Sequence, residues 1–275
     1  MGLIETQKVM ADSVYISKNL DKHQLLFMKL LEANEVLYFN MHTIETSLQH
    51  NFNNLNEILE NLVDKELLVR LERGKYVVAN YNNLYTLATF ISQNSSIAYW
   101  SALYHYGLTE RFPNTVFVKT TQRKRETQIL GTTIKFVSVK NAKNIGILQE
   151  GYGDDSFLIT DMEMTLVDCF DQPRYAGDFA DLIRAFATAK LTNKKLIEYT
   201  KAYSNIALTK RLGYLASLFH KEKLQSFISY AKTQVNNRYS LIDAGGIEEG
   251  EFVNEWKLRL NISIDNLLQM KQTEY

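Results

Sequence analysis

Three groups of residues along the 275-residue chain have types and spacings that could do chemistry. Asn53, Asn54 and Asn56 stand at the start of an amphipathic segment. A carboxamide donates and accepts at once, so it can pair with the N6/N7 edge of adenine. The second group is basic: Arg70, Arg73 and Lys75 around a glycine, then Lys119, Arg123, Lys124, Arg125 and Lys135, with Lys140 and Lys143 nearby. Such cations suit phosphate or an acidic protein surface. The third is acidic: Asp154, Asp155, Asp161, Glu163, Asp168 and Asp171 are enough carboxylates to hold the Mg²⁺ of a nuclease. No lysine stands with them in a D/E-x-K arrangement, and Asp161 and Glu163 are equally explained as helix-start residues favoured by the dipole.

Other chemistries find no residues. There is no phosphate-binding G-x-x-x-x-G-K loop, no G-x-G-x-x-G, no G-x-S-x-G and no H-E-x-x-H. The single cysteine, Cys169, excludes a disulfide within the monomer and a Cys-rich zinc site, and its place in an apolar helix marks it as core. His23, His42, His50, His105 and His220 are scattered without ligand spacing. No cofactor, metal or catalytic residue is therefore expected. The first residues lack an unbroken apolar run after a basic start, and no window approaches the ~20 apolar residues that span a bilayer. Gly2 and Thr6 have myristoylation spacing but no second lipid signal beside them. The expected location is the cytoplasm.

The elements that must position these groups are legible in the pattern. A helix is expected over Leu20 to Ala33, with Leu25, Leu26, Met28, Leu30 and Leu31 as its apolar face, then a short β segment at Val36 to Phe39 and a short helix from Met41 to Leu48. Asn51 to Asn54 make a polar turn rich in N-cap residues, and Leu55, Ile58, Leu59, Leu62 and Val63 repeat at helical spacing to Lys65. Leu67 to Leu71, a turn at Glu72 to Lys75, and Tyr76 to Ala79 form a hairpin. A helix pair followed at once by a hairpin is the order of a winged helix-turn-helix, whose second helix enters the major groove while the hairpin lies along the backbone.

Beyond it, helices are expected at Leu84 to Ser92 and Ile97 to Tyr106, and strands at Thr115 to Thr120, Gly131 to Val139 and Phe157 to Thr160. Thr160 and Glu163 stand at capping-box spacing before another helix. Four more helices follow between Asp178 and Gln234, and Glu255 to Ile262 reads as a closing strand. The fold class is α+β: an N-terminal winged helix-turn-helix domain, residues 1–84, then a mixed α+β domain, residues 85–275, with a helical C-terminal part.

The 31 Lys and Arg cancel the 31 Asp and Glu. By segment the balance is −3 over residues 1–84, +6 over 85–145, −7 over 146–188 and +4 over 189–275. A neutral total thus conceals a basic block beside an acidic one. They either present two surfaces or neutralise each other on folding.

The Arg70-Leu71-Glu72-Arg73-Gly74-Lys75-Tyr76 hairpin is followed by Tyr99 to Leu108 (YWSALYHYGL), Ile159 to Asp168 (ITDMEMTLVD) and Arg211 to Leu215 (RLGYL). This order, over about residues 20 to 262, resembles the AbiEi-type antitoxins, the transcriptional-regulator half of bacterial abortive-infection toxin–antitoxin pairs. The resemblance implies a winged-helix domain that binds repeats in its own promoter and represses the operon. It also implies a C-terminal domain that antagonises a nucleotidyltransferase-like toxin, in many members without a stable complex. On that expectation Asn53, Asn54 and Asn56 contact bases of double-stranded DNA, and Arg70, Arg73 and Lys75 contact phosphate. Lys119, Arg123, Lys124, Arg125 and Lys135 form a second nucleic-acid or partner surface. The acidic recognition helix departs from the pattern and predicts modest, salt-sensitive affinity, which a homodimer reading two half-sites would raise. Two alternatives stay open: a protein-binding module that sequesters a toxin without DNA, and a metal-dependent nuclease using Asp161, Glu163 and Asp168.

Overall fold

A computed structural model describes residues 19–272, so Gly2 and Thr6 lie outside the described residues. The chain divides into two compact units between Asn82 and Asn83, and its architecture is mixed α+β.

In the first unit α1 (Lys22–Ala33) begins at Asp21, whose carboxylate accepts from the His23 and Gln24 amides at 2.8 Å while the Gln24 side chain accepts from the Asp21 amide. The helix buries Gln24, Phe27 and Leu31, positions three and four apart. The expected apolar face was too broad: Leu25 and Leu26 are exposed, because a helix against one small core covers only a stripe. After it come β1 (Tyr38–Asn40), α2 (Ile44–Ser47), α3 (Leu55–Asp64), β2 (Leu68–Glu72) and β3 (Lys75–Val78). The strands form an antiparallel sheet in the order β1-β3-β2. Phe27 centres the core, edge-on to Phe39 and Phe52 at 5.7 and 5.3 Å, and α3 adds Ile58, Leu59 and Leu62. The β2–β3 turn needs Gly74, whose φ of +76° few side-chain-bearing residues adopt.

In the second unit, α4 (Leu84–Phe90), β4 (Ser95–Ile97), α5 (Tyr99–His105), β5 (Thr115–Thr120), β6 (Thr127–Ile129), β7 (Thr132–Ser138), β8 (Ile147–Glu150) and β9 (Phe157–Thr160) come first. They build a six-stranded sheet, β6-β7-β5-β4-β9-β8, with β5/β7 and β4/β9 parallel and the other pairs antiparallel. The helix expected from Ile97 starts later, because Ile97 is spent pairing with Val118 and Ile159 in the middle of that sheet. The helices α6 (Met162–Asp171), α7 (Phe179–Thr188), α8 (Asn193–Tyr203), α9 (Ile206–Leu218) and α10 (Gln225–Thr233) follow. A second small sheet takes β10 (Ser240–Leu241), β11 (Glu251–Val253) and β12 (Leu258–Leu260), and α11 (Ile264–Gln272) closes the described chain.

Gly213 lets this helical part close. A Cβ built there would lie 2.5 Å from the Ala231 Cβ on α10 and 2.7 Å from the Trp256 ring, with no room on α9 to yield. Gly213→Ala should therefore lower the stability of the second unit by about 1–3 kcal/mol despite alanine's better helix propensity. Urea unfolding of the purified variant measures this, and a neutral or stabilised protein would contradict the packing described.

Candidate nucleic-acid interface and the buried charge network

Asn53, Asn54 and Asn56 are all exposed at the leading end of α3. Asn54 occupies the N-cap position, but its side chain makes no capping hydrogen bond, so its carboxamide is spent on nothing local. The turn before it is fixed from elsewhere: the Glu45 carboxylate accepts from the Phe52 amide at 2.7 Å, and the Phe52 ring packs on Phe27. Asn53 and Asn54 share a hollow with Asp21, His23, Glu57 and Asn61. The Gln24 amide holds the Asp21 carboxyl below its ordinary range, so this hollow carries negative charge at neutral pH.

On the hairpin, Arg70 faces Tyr76 in the register and Arg73 occupies the turn; both are exposed. Lys75 differs. Its ammonium lies 3.0 Å from the Glu72 carboxylate and is largely covered, so it is partly neutralised before any phosphate arrives.

The proposed second basic surface changes most. Lys119 is fully buried, and its ammonium lies 3.0 and 2.9 Å from the two oxygens of Asp168 and 3.2 Å from the Tyr203 hydroxyl, which itself donates to Asp168. It does not belong to any surface. Both faces of β5 are covered, one side carrying Val116, Val118 and Thr120 and the other Phe117 and Lys119, so an inward lysine needs an internal partner. Burial raises the Asp168 carboxyl and Lys119 opposes it; burial and the Asp168 charge push the Tyr203 phenol up, which keeps it a neutral donor. Lys124 donates to the Ile91 carbonyl at 2.6 Å and lies over the Phe136 ring, and Lys135 lies half-buried over Tyr175. Arg123 and Arg125 remain exposed.

The basic and acidic blocks therefore interlock. Lys143 meets Asp171 at 2.8 Å, and Arg111 meets Asp178 and Asp181 at 2.6 and 3.2 Å. The carboxylates considered for a metal are spent on protein donors, and Lys195 bridges two of them, Asp161 and Glu163, at 3.1 and 3.5 Å. Asp161, not Thr160, caps α6 by accepting from the Met164 amide, and it also takes the Tyr199 hydroxyl at 2.6 Å and Lys195 at 3.1 Å. Glu163 turns to the Thr192 amide and hydroxyl, both at 2.9 Å. Among the described residues no three His, Cys, Asp or Glu side chains group so as to hold a metal ion. Burial pushes the Cys169 thiol up, as suits a core position. No helix among the described residues is long and apolar enough to cross a membrane.

Two features escaped the sequence reading. Tyr203 gave no signal, whereas Lys119 in an otherwise apolar strand and Asp168 inside an apolar helix were a legible complementary pair. The other is an aromatic and basic face on the small C-terminal sheet, whose short strands lack a clear period.

No protein-family model matches the chain, and none of the curated proteins matches it. Among solved structures it is similar in fold to the crystal structure of the RV2827C protein from Mycobacterium tuberculosis, with a TM-score of 0.66 and 13% identity, covering 92% of this chain and 96% of that one. At this identity the likeness is one of fold alone.

Lys119→Met should destabilise the second unit by about 3–5 kcal/mol, because it strands a buried carboxylate. Lys119→Met combined with Asp168→Leu should recover most of that loss. A double-mutant cycle by urea unfolding checks both, and a double variant that loses the sum of the two single losses would show that the charges do not depend on each other.

Proposed function

We propose that the first unit is a winged helix-turn-helix that binds double-stranded DNA, and that the chain is an autorepressor and antitoxin antagonising a nucleotidyltransferase-like toxin. The observation that carries the DNA reading is α3: three exposed asparagines at its leading end, beside a hairpin whose Arg70 and Arg73 are exposed. On this reading the asparagines pair with adenine edges, each good bidentate pair discriminating by about 1–3 kcal/mol, while the two arginines fix position on phosphate. Lys75 contributes less because Glu72 already holds it. Asp21, Glu57 and the other acids near α3 make affinity modest, and a homodimer on paired half-sites would compensate.

In the second unit the surface offered to nucleic acid or toxin contracts to Arg123 and Arg125, since Lys119 is internal. The antitoxin role rests on the order of sequence motifs, and the fold likeness adds nothing to it. A second reading, in which the first unit docks a basic protein and sequesters it, draws on the acidic side chains around Asn53 and Asn54. Asp161 and Glu163 share the Lys195 ammonium while Asp168 is held by Lys119 and Tyr203, so each carboxylate already has a cation where a metal would have to sit, which disfavours the nuclease reading.

A gel-shift titration against the DNA upstream of the chain's own coding region tests this reading. The intact protein should shift it, and Arg70→Ala with Arg73→Ala should weaken binding and flatten the log–log salt dependence by about two units. Lys75→Ala should change little. Asn56→Ala should reduce discrimination between operator and unrelated DNA by about tenfold. Unchanged binding in the double arginine variant removes the hairpin from the interface; a stable complex with the neighbouring gene product and no shift favours sequestration.

A further inference from the structure

The small sheet β10-β12-β11 turns one face to the core and leaves the other open. On β12, Leu258 and Leu260 are buried and alternation puts Arg259, half-buried, on the other face, while Lys257 stands in the turn just before the strand. Phe252 on β11 stands opposite Arg259 in the register and is 55% exposed. Tyr239, just before β10, is 40% exposed, and its ring meets that of Phe252 edge-on at 4.7 Å. Each ring carries a cation: the Lys257 ammonium lies 5.1 Å from the Tyr239 centroid and the Arg259 guanidinium 5.2 Å from the Phe252 centroid.

The arrangement is held in place. The Tyr239 hydroxyl bonds to the Asn254 side chain, and Arg259 donates to the Gly250 carbonyl at 3.4 Å. Gly250, at φ +91°, lies so close to the Leu260 carbonyl that a Cβ there would overlap it, which presses the start of β11 onto β12. Glu251 stands opposite the buried Leu260, on the reverse side from Phe252, and Glu255, in the turn that carries Lys257, is paired with Lys232 at 2.5 Å.

We propose that this face is a stacking platform for single-stranded nucleic acid. Exposed rings interleaved with cations match a strand that offers flat bases at the spacing of its phosphates, and every base has a π face, so the recognition tolerates sequence. An acidic peptide would satisfy Lys257 and Arg259 but has no use for the open ring of Phe252. A duplex keeps its bases stacked on one another and cannot lend them to a side chain. The platform belongs to the second unit and does not rest on the DNA reading of α3.

The test is fluorescence anisotropy with labelled oligo(U) RNA and oligo(dT) DNA of about 15 nucleotides, using the full chain at low salt. A duplex of equal length and polyglutamate serve as competitors. Both single strands should bind, and the ratio of the two affinities tells whether a 2′-hydroxyl is preferred. Phe252→Ala should weaken binding by about fivefold or more, the loss of one stacked base, without changing the melting temperature, and Phe252→Trp should restore it. The Arg70→Ala and Arg73→Ala pair should leave single-strand binding intact. The proposal is overturned if no single strand binds, if Phe252→Ala binds like the parent, or if polyglutamate displaces the oligonucleotide as well as unlabelled oligo(U) does.

Discussion

A fully buried ammonium in the middle of a sheet must find a carboxylate, and in the second unit Lys119 and Asp168 answer that requirement for each other. The cost of desolvating either charge alone far exceeds what a neighbouring apolar contact returns, so the pair dictates where the elements bearing it lie. β5 runs between β4 and β7 with Lys119 inward, and α6 presents Asp168 to it from a helix that is buried along almost its whole length. Tyr203 at the end of α8 supplies the remaining donor. The constraint then spreads one layer out: Lys143 lies 4.3 Å over the Tyr203 ring while bonding Asp171, and Asn205 bonds Asp171 at 2.8 Å while capping α9 through the Leu208 amide. One polar network thereby fixes α6, the α8–α9 junction and the turn after β7.

The zero net charge has its explanation in the same place. Three cations of the basic block, Arg111, Lys119 and Lys143, pair with Asp178 and Asp181, Asp168, and Asp171 of the acidic block, so part of the opposed charge is consumed in holding the unit together. Other cations stay exposed: Lys22, Lys29, Arg70 and Arg73 in the first unit, and in the second Arg123 and Arg125 on the β5–β6 connection, Lys140 after β7, and several lysines and arginines of the helical part. Lys257 and Arg259, half-buried against aromatic rings, are a third, differently built group.

Much of the fold was legible. Strands β5 and β9 agree with the sequence reading to the residue, and most helices to within a residue or two, because strong period and turn residues bound them; the closing strand expected over Glu255 to Ile262 shrinks to Leu258–Leu260 behind a turn, and α11 after it was not expected. Short elements were not: β4, β6, β8, β10 and β11 hold two to four residues each, too few for a period to emerge, and exist because a neighbour offers hydrogen bonds. The Thr160 capping box failed because Asp161, one residue on, is the stronger acceptor and gains Tyr199 and Lys195. At the site the outcome divides on the same line. Exposed side chains such as Asn53 and Arg73 could be read from local pattern, whereas Lys119 could be placed only by pairing it with Asp168, 49 residues on, as two opposite charges in apolar elements.

The acidic side chains along α3 also bear on how its face would choose a target. An interface rich in lysine gains most of its free energy from counterion release and binds any duplex; removing that term lowers affinity for all sequences alike. With Glu57 and Glu60 along the outer side of α3, close approach to phosphate is penalised, so the helix gains only where base edges accept the asparagine carboxamides. Repulsion from the wrong surface is then part of the specificity, as in other interfaces that discriminate by penalty as well as by attraction. A net acidic recognition helix is, on the proposed reading, consistent with a protein that must ignore most of the genome and reside at one short site, at the expense of affinity that a second half-site restores.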